Sequence, residues 1–239
     1  RGLGDVYKRQ DMNILIVGAT SGIGKALYLH YISCDNNVAI MGRRKSILDE
    51  IYAANPSKTF SAQTDISNVK PFNDAFNSII KSLCTIDLAI VCASVGELNE
   101  TLDISQELTT LSTNVVGWTN AVDTIYHHFE TMGKGHLVTI TSVGGLQPTP
   151  IAPSYSASKA FQINYTKSLQ AKAKKSAITI TEIRPGLVDT RMSKGEGLFW
   201  VMPLEKVSKQ IIRAIDHKRR LCIVTKRWHI LNFVVKHFM

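Results

Sequence analysis

Short apolar runs alternate with amphipathic stretches along most of the chain, and this alternation is the feature that most restricts its fold. The runs are continuously apolar, which is expected of strands covered on both faces of a sheet. Strands that alternate with helices pair in parallel through right-handed crossovers. We therefore predict one α/β domain, a doubly wound parallel sheet with helices on both faces. The predicted strands cover residues 13–17, 38–41, 59–63, 86–92, 135–141, 178–183 and 221–225.

The predicted helices lie between these strands, and some of their ends carry local signals. Asn68 is expected to cap one helix with its side chain, and Asn55-Pro56 is expected to end another. The helices cover residues 23–32, 46–54, 69–83, 104–116, 118–131, 154–175 and 203–216, and an amphipathic stretch follows at 228–238.

The composition fits a packed domain and excludes several other classes of protein. The 239 residues are 44% apolar and 20% charged, which argues against wholesale disorder. No run approaches the roughly 18 apolar residues of a membrane span. The four cysteines lie far apart without a C-x-x-C pair, which argues against a zinc ribbon or disulfide scaffold and favours the reducing cytoplasm. The histidines include no H-E-x-x-H pattern, so no metal site is predicted.

The two ends of the chain are treated apart from the rest of the domain, which we place at 12–239. Residues 1–11 have no signal-peptide pattern, and Asp5 to Gln10 resemble the translated end of a transposon adapter used in sequencing libraries. We expect residues 1–11 to be non-native, the alternative being a disordered tail. Residues 226–239 form a basic amphipathic tail in a chain of net charge +9. Such a tail can lie on a membrane, but a capping helix with solvated cations is favoured. No nucleic-acid motif accompanies the charge, and no nucleic-acid partner is predicted.

A glycine-rich turn stands between the first predicted strand and the first predicted helix. Glycines permit a tight turn and close backbone approach, and the helix start offers unpaired N–H groups to a pyrophosphate. The G-x-x-x-G-x-G spacing arises by chance roughly 0.06 times in such a chain, so a glycine turn without a ligand stays open. The turn consists of Gly18, Ala19, Thr20, Ser21, Gly22, Ile23 and Gly24.

The end of the second predicted strand bears on the choice of nucleotide. NAD binding requires an acidic side chain there for the ribose 2′-hydroxyl. Gly42 holds that position, and Arg43 and Arg44 follow it. A guanidinium group can bind a 2′-phosphate through two hydrogen bonds. We therefore predict NADP (NADPH) rather than NAD, the alternative being that the two arginines are a solvated pair at a helix start.

Tyr155 and Lys159 are candidates for acid–base chemistry. They lie four residues apart in a predicted helix, so both face the same side. A Y-x-x-x-K pair alone is expected about 0.5 times by chance, but its conjunction with Ser142 at a strand end and with the glycine turn is expected only about 0.002 times. A cation at ~4 Å with an effective dielectric constant of ~20 is worth about 4 kcal/mol. That could lower the tyrosine pKa by roughly 3 units, although desolvation raises the pKa.

These motifs resemble the short-chain dehydrogenase/reductase family, in the family's order, from Met12 to about Thr190. The resemblance implies a seven-stranded Rossmann sheet and an oxidoreductase that transfers a hydride between a nicotinamide cofactor and a carbonyl or alcohol. It implies that Tyr155 is the general acid/base, that Ser142 polarises the carbonyl, and that Lys159 binds the nicotinamide ribose. It further implies that Asn114 positions a water in a proton relay.

The resemblance also implies the remaining cofactor contacts. Asp65, followed by Ile66, would contact the adenine. Many members carry Asn-Asn-Ala-Gly after the fourth strand, where this chain has Val91-Cys92-Ala93-Ser94. Ala93 and Ser94 are expected to form the floor under the adenine ribose, while Cys92 is expected to be a buried thiol rather than a nucleophile. The nicotinamide would be bordered by Pro185, Gly186, Val188 and Thr190.

Substrate choice is expected to come from two loops, at 143–151 and 191–202. The second loop carries Met192, Leu198, Phe199, Trp200 and Met202, which suit either an apolar lid or simple core packing. The expected partners are a small carbonyl or alcohol substrate and a second copy of the chain, because the family commonly forms dimers or tetramers through the helices that carry Asn114 and Tyr155. Two alternatives stay open: a non-catalytic NADP-binding sensor or scaffold protein, and a peripheral membrane reductase acting on a lipid carbonyl.

Overall fold

A computed structural model describes residues 12–190 and 201–224. Its strands form one seven-stranded sheet in the order β3-β2-β1-β4-β5-β6-β7, with every neighbouring pair parallel. This is the predicted doubly wound sheet. The strands are β1 (Asn13–Val17), β2 (Asn37–Gly42), β3 (Thr59–Gln63), β4 (Leu88–Val91), β5 (Lys134–Ile140), β6 (Ala177–Pro185) and β7 (Leu221–Val224).

Helices connect successive strands in the described part of the chain. The α-helices are α1 (Gly22–Ser33), α2 (Lys45–Ala54), α3 (Val69–Leu83), α4 (Ile104–Leu111), α5 (Trp118–Met132), α6 (Pro153–Lys172) and α7 (Leu204–Asp216). A π-helical segment (Ser112–Gly117) joins α4 to α5, and short 3₁₀ turns follow β5 (Val143–Gly145) and α6 (Ala173–Lys175). None of the helices within the described ranges is long and apolar enough to cross a membrane.

The hydrophobic core is divided between the two faces of the sheet. Successive side chains of a strand point to opposite faces, and β1 illustrates the consequence. Leu15 and Val17 pack on one face with residues of α3 and α5 such as Phe72, whereas Ile14 and Ile16 pack on the other with residues of α1, α2 and α7. Both faces are therefore covered, which explains why the strands are continuously apolar.

The connections place a crevice at the carboxyl end of β1. The chain passes outwards from β1 to β2 and β3, then returns to the other side of β1 to form β4. Open α/β sheets bind ligands at such a reversal of strand order. The turn that follows β1 and the loop that follows β4 meet there, because the amides of Cys92 and Ala93 both donate to the Val17 carbonyl.

Three predicted details are wrong. The strand predicted at 86–92 is shorter and covers Leu88–Val91, and its ladder ends where the amides of Cys92 and Ala93 share the Val17 carbonyl. The predicted helices 104–116 and 118–131 form one continuous helix, in which α4 and α5 are joined by the π-helical segment Ser112–Gly117. Asn68 stands at the N-terminal boundary of α3, but its side chain makes no capping hydrogen bond. The predictions for residues 1–11 and 226–239 concern segments outside the described residues.

Candidate active site

The glycine turn after β1 is shaped by close backbone contacts. Gly18 has a φ of +92°, and a Cβ there would lie 2.6 Å from the Ala93 amide nitrogen. A Cβ on Gly24 would collide with the Gly18 carbonyl oxygen. Gly22 also has a positive φ, of +52°, and faces the Thr190 side chain. The turn therefore leaves no room for a side chain at Gly18 or Gly24, and α1 begins directly in it with its first N–H groups free of intrahelical acceptors.

Three of the four other residues of the turn, Thr20, Ser21 and Ile23, have different environments. Thr20 is buried, Ser21 is half-buried, and Ile23 packs its side chain against the core face that contains β1 and α7. Ile23 therefore anchors the start of α1, while the hydroxyl groups of Thr20 and Ser21 point towards the neighbouring end of β2.

Arg44 closes the side of the turn. Its Nη2 donates to Thr20 Oγ1 at 2.6 Å and to Ser21 Oγ at 2.9 Å, and its Nε donates to Thr20 Oγ1 at 3.2 Å. Arg44 is also the N-cap residue of α2, a helix with no acidic residue in its first turn. A cation at a helix start is unfavourable unless an anion lies nearby. Arg44 and the free N–H groups of α1 therefore make a place suited to phosphate.

Arg43 and Asp65 lie at the exposed rim of the same region. Nη1 of Arg43 is 3.7 Å from Asp65 Oδ2, and 56% of the Arg43 side chain is exposed. The other carboxylate oxygen of Asp65 accepts from the Ser67 amide and hydroxyl, at 2.9 Å and 2.7 Å. Ile66 is buried in the core. Arg43 is thus held at the rim by one weak, solvated ion pair that an incoming anion can replace.

Gly42, the last residue of β2, stands where a side chain would press against Thr20. A Cβ on this residue would lie 3.1 Å from Thr20 Cγ2. A carboxylate side chain at this position would have to displace Thr20, which is already fixed by Arg44. The end of β2 therefore carries cationic side chains and leaves little space for an acidic side chain at Gly42.

Asn114 lies in the π-helical segment and fixes the loop after β4. Its side-chain oxygen accepts from the Ser94 hydroxyl and the Val95 amide, at 3.0 Å and 2.9 Å. Its amide nitrogen donates to the Val95 carbonyl and to Ser158 Oγ, at 2.7 Å and 3.1 Å. An asparagine amide has two donors and two acceptor positions, so the side chain is fully used. It joins the Ala93–Ser94 loop to α6.

Tyr155 and Ser142 meet at the carboxyl edge of the sheet. Gly96 faces one edge of the Tyr155 ring, with its added Cβ only 2.5 Å from Cδ2, and Gly144 faces the other edge. Burial raises the pKa of Tyr155, and the hydrogen bond from Ser142 acts in the opposite direction. Ser142 Oγ also accepts from the Gly144 amide at 3.0 Å. The expected lowering of this pKa by Lys159 is not found; desolvation is the largest influence on it, and the opposing influence comes from Ser142.

Lys159 is buried beside the tyrosine. Its Nζ lies 5.8 Å from the centre of the Tyr155 ring, as the four-residue spacing predicts. The ammonium donates to Gln162 Oε1 at 2.9 Å and to the Ile140 carbonyl at 3.4 Å. Burial lowers the pKa of Lys159 to about 7. Desolvation likewise raises the pKa of the neighbouring Cys92 thiol to about 12, which agrees with an unreactive cysteine.

The end of β6 brings the last predicted residues to this edge. Pro185 is the last residue of β6, and Gly186 follows it. Val188 is buried and pairs with Met202, so the ends of the segment between them are held together. Thr190 lies against Gly22, which places it beside the glycine turn. The rest of the loop predicted to bind substrate, residues 191–200, lies outside the described residues.

Sequence reasoning missed the residues that hold these groups in place. Glu107 of α4 accepts from the Ser154 amide at the start of α6 with one oxygen and from Asn99 Nδ2 with the other, at 3.0 Å and 2.7 Å. Gln162 contacts both Lys159 and Asn114. The spacing of Lys159 and Gln162 on one helix face is a local signal that could have found Gln162, whereas Glu107 lies 47 residues from Ser154 and has no such signal.

Comparison with known proteins gives the family. A family model described as short chain dehydrogenase matches residues 12–198. An NADP-dependent 3-hydroxy acid dehydrogenase, YdfG of Escherichia coli O157:H7, is 27% identical over 180 residues, which cover 74% of this chain and 73% of that protein. Dehydrogenase/reductase SDR family member 7B of Xenopus tropicalis is 26% identical over 239 residues, which cover 90% and 77%.

Solved structures agree in fold. A variant of actinorhodin polyketide ketoreductase, crystallised with NADPH, superposes with a TM-score of 0.80 at 19% identity, covering 90% of this chain and 95% of that one. A short-chain dehydrogenase from Streptomyces avermitilis gives 0.83 at 18% identity, covering 95% and 93%. With the glycine turn, the sheet order and the matched family model, this protein belongs to the short-chain dehydrogenase family of oxidoreductases, which act on alcohol and carbonyl groups.

Proposed function

We propose that this protein is an NADP-dependent oxidoreductase that interconverts a carbonyl compound and its alcohol, with Tyr155 as the general acid/base. The observation that carries the proposal is the convergence of the Tyr155 hydroxyl, Ser142 and buried Lys159 beside a glycine turn closed by Arg44. Such an arrangement supplies a proton, a hydrogen bond and a cation at the edge where this fold binds nucleotides.

The residues present fit a dinucleotide. Gly18 and Gly24 leave a cradle that any Cβ would fill. Arg44 and the N–H groups at the start of α1 supply positive charge for phosphate groups. Bound there, the nicotinamide supplies the hydride. Arg43 at the rim supports a choice of NADP, because its only described ion pair, with Asp65, is long and solvent-screened.

Three side chains of this protein, those of Tyr155, Ser142 and Lys159, contribute the remaining chemistry. Tyr155 moves a proton at its phenol oxygen, to the substrate oxygen in reduction and from the alcohol in oxidation. Ser142 hydrogen-bonds the substrate oxygen as negative charge develops on it. In its protonated form, Lys159 places a positive charge 5.8 Å from the centre of the Tyr155 ring and so favours the phenolate. Because burial raises the pKa of Tyr155, we expect reduction to be favoured at neutral pH over oxidation, which needs the phenolate.

The cofactor choice is tested by fluorescence titration with NADPH and NADH. Replacing Arg43 with Asp, and separately Arg44 with Met, is expected to weaken NADPH binding at least about tenfold, or about 1.4 kcal/mol. NADH binding should change much less with Arg43→Asp. Arg213→Asp, at an exposed position of α7, makes the same change of charge away from the site and should leave both affinities unchanged. Equal binding of both nucleotides by the wild type would contradict the NADP choice.

The catalytic role is tested with Tyr155→Phe. We expect kcat with NADPH and a panel of ketones and aldehydes to fall by about 10²-fold or more, with NADPH affinity unchanged. Tyr165→Phe is the matched control, because Tyr165 lies on the same helix but bonds Asp123, at 2.8 Å and 2.9 Å. Wild-type protein that binds NADPH but reduces no carbonyl would favour the sensor or scaffold alternative instead.

We also propose that the protein forms a homodimer or homotetramer through α4, the π-helical segment and α6. These elements expose Ile104, Leu108, Val116 and Phe161. Sedimentation velocity of wild-type protein and of Leu108→Glu tests the proposal, because a charge in an apolar interface should shift the equilibrium towards monomer. A monomeric wild type would contradict it.

We place the enzyme in the cytoplasm, in keeping with four free cysteines in the described residues.

A further inference from the structure

A single buried amide joins two of the residues assigned to the chemistry. Gln162 lies on α6 three residues after Lys159 and is completely buried. Its Oε1 accepts a hydrogen bond from Lys159 Nζ at 2.9 Å. Its Nε2 donates to the main-chain carbonyl of Asn114 at 2.9 Å. The amide therefore bridges the active-site helix and the π-helical segment, 48 residues away in sequence.

The hydrogen bond to Gln162 is the shorter of the two described hydrogen bonds that the Lys159 ammonium donates. The other, to the Ile140 carbonyl, is 3.4 Å long and correspondingly weak. A buried ammonium needs acceptors to stay charged, and burial already lowers the pKa of Lys159. The titratable groups that face Lys159 in the described part of the chain are Tyr155 on its own helix and Cys92 after β4. Neither supplies an opposite charge at neutral pH, because the local pKa of each is raised.

The other half of the bridge concerns Asn114. The family resemblance predicts that Asn114 positions a water in a proton relay. In the structure its side chain is fully used by Ser94, Val95 and Ser158, and a side-chain amide contacts its carbonyl. An amide neither takes up nor releases a proton in the physiological range, so this contact can position groups but cannot carry protons.

We propose that Gln162 is a positioning residue of the reaction, which keeps the Lys159 ammonium charged and aimed at Tyr155 and anchors it to the Asn114 carbonyl. This inference rests on the proposed function. It assigns no proton transfer to Gln162, which acts only through Lys159. Loss of the Oε1 acceptor should favour the neutral amine, weaken the positive field at Tyr155 and so make its phenolate harder to form.

The test reads Lys159 directly, without cofactor or substrate. Protein labelled with [ε-¹³C]lysine is titrated by NMR, and the Lys159 resonance is assigned by its loss in Lys159→Met. Gln162→Met keeps the length of the side chain but removes both polar atoms, and should lower the titration midpoint by about one unit or more. Gln162→Glu offers a carboxylate to the ammonium and should raise it. A merely structural role would not produce shifts of opposite sign.

Gln170→Met is the matched control. Gln170 lies on the same helix, and its amide donates to the carbonyls of Ile180 and Arg220, away from Lys159. This variant should leave the Lys159 midpoint unchanged even where it lowers the melting temperature. If Gln162→Met does not fold, Gln162→Asn takes its place, because the shorter side chain cannot reach both partners and the midpoint should fall as well.

Turnover measurements separate this inference from the proposed function. In Gln162→Met, kcat/KM for alcohol oxidation should fall near pH 7, where wild-type Lys159 is still partly protonated, and should approach the wild-type value at pH 9, where the amine is neutral in both proteins. Wild-type turnover together with an unchanged Lys159 midpoint in all folded Gln162 variants would overturn the inference alone. A wild type without NADPH-dependent turnover would overturn the proposed function, and this inference with it.

Discussion

The glycine turn after β1 and the helix α6 contribute to the same edge of the sheet, but different kinds of contact hold them there. The turn is fixed by backbone against backbone, with Gly18 against Ala93 and Gly24 against the Gly18 carbonyl. The start of α6 is fixed by polar side chains from other elements. Glu107 bonds its first amide, and Asn114 bonds Ser158 one turn later.

The difference decides what kind of change each region tolerates. Added volume should damage the turn, because the neighbouring atoms are backbone and cannot move aside cheaply. Removal of a polar partner should damage the region around α6, because a buried group left without a hydrogen bond costs about 1–3 kcal/mol, and more when it is charged. Strand β6, which packs against α6, contains the strongest polar contact of this kind, a buried ion pair.

The largest effect is expected from the buried ion pair of β6. Arg184 donates to both oxygens of Glu182, each at 2.9 Å, and their side chains are only 4% and 2% exposed. Glu182 also accepts from Thr141, the neighbour of Ser142. Arg184→Met leaves a buried carboxylate without its partner, and should lower the free energy of unfolding by about 3–5 kcal/mol in urea denaturation.

The paired variant sharpens this prediction. Arg184→Met with Glu182→Leu removes both charges, and replacement of a buried pair by apolar residues is often close to neutral. The double variant should therefore recover most of the loss caused by Arg184→Met. Equal destabilisation of the single and double variants would mean that side-chain packing, rather than the unpaired carboxylate, holds this region.

The next effect tests the turn. Gly24→Ala places a methyl group against the Gly18 carbonyl, and overpacking of this kind costs about 1–3 kcal/mol. The shift of the turn should also weaken NADPH binding by about 10²-fold, measured by fluorescence titration. Gly133→Ala is the control, because that glycine has a φ of +71° but open space around it. It should cost about 1–2 kcal/mol of backbone strain and leave binding unchanged.

The same comparison explains which parts of the site could be predicted from the sequence. The turn is formed by neighbouring residues, so an apolar run followed by spaced glycines predicted its place between β1 and α1. Tyr155 and Lys159 were also predictable as a pair, since helical spacing puts them on one face. All these residues come to one edge because the alternation of strands and helices makes the strands parallel, so that their carboxyl ends lie on the same side of the sheet.

The supports of α6 could not be predicted in this way. Glu107 lies 47 residues from Ser154, and Gln162 lies 48 residues from Asn114. No spacing rule joins positions so far apart in sequence. Asn68 shows the converse error, because a residue type favoured for capping stands at the right boundary while its side chain makes no such bond. Local preference predicts the element, whereas its polar partners depend on the tertiary packing.

Lys159 makes the polar region sensitive to pH. Its pKa is lowered to about 7 in the folded protein, from 10.5. Between these values the unfolded chain binds the proton and the folded chain does not, so stability rises with pH. Above about pH 9 the Cys92 thiol, with its pKa raised from 9.0 to about 12, acts in the opposite direction. From pH 7 to 9 the lysine should therefore add about 2 kcal/mol to the unfolding free energy.

Urea unfolding at pH 7, 8 and 9 without added nucleotide measures this slope. Lys159→Met should remove it, and should be more stable relative to wild type at pH 7 than at pH 9. Lys167→Met, at an exposed position of the same helix, is the matched control and should retain the wild-type slope. A slope that survives in Lys159→Met would show that another group titrates in this window.

The smallest of the expected effects concerns the carboxylate that joins α4 to α6. Glu107→Ala leaves the Ser154 amide and Asn99 Nδ2 without their acceptor, and loss of such a cap costs about 1 kcal/mol. Because Asn99 belongs to the loop that holds Gly96 against Tyr155, kcat should fall while NADPH affinity stays the same. Glu130→Ala, at an exposed carboxylate of α5, should change stability by less than about 0.5 kcal/mol. If Glu107→Ala weakened NADPH binding as strongly as Gly24→Ala, the two regions would not be separable, and the division between a backbone-fixed turn and a polar-fixed helix would be wrong.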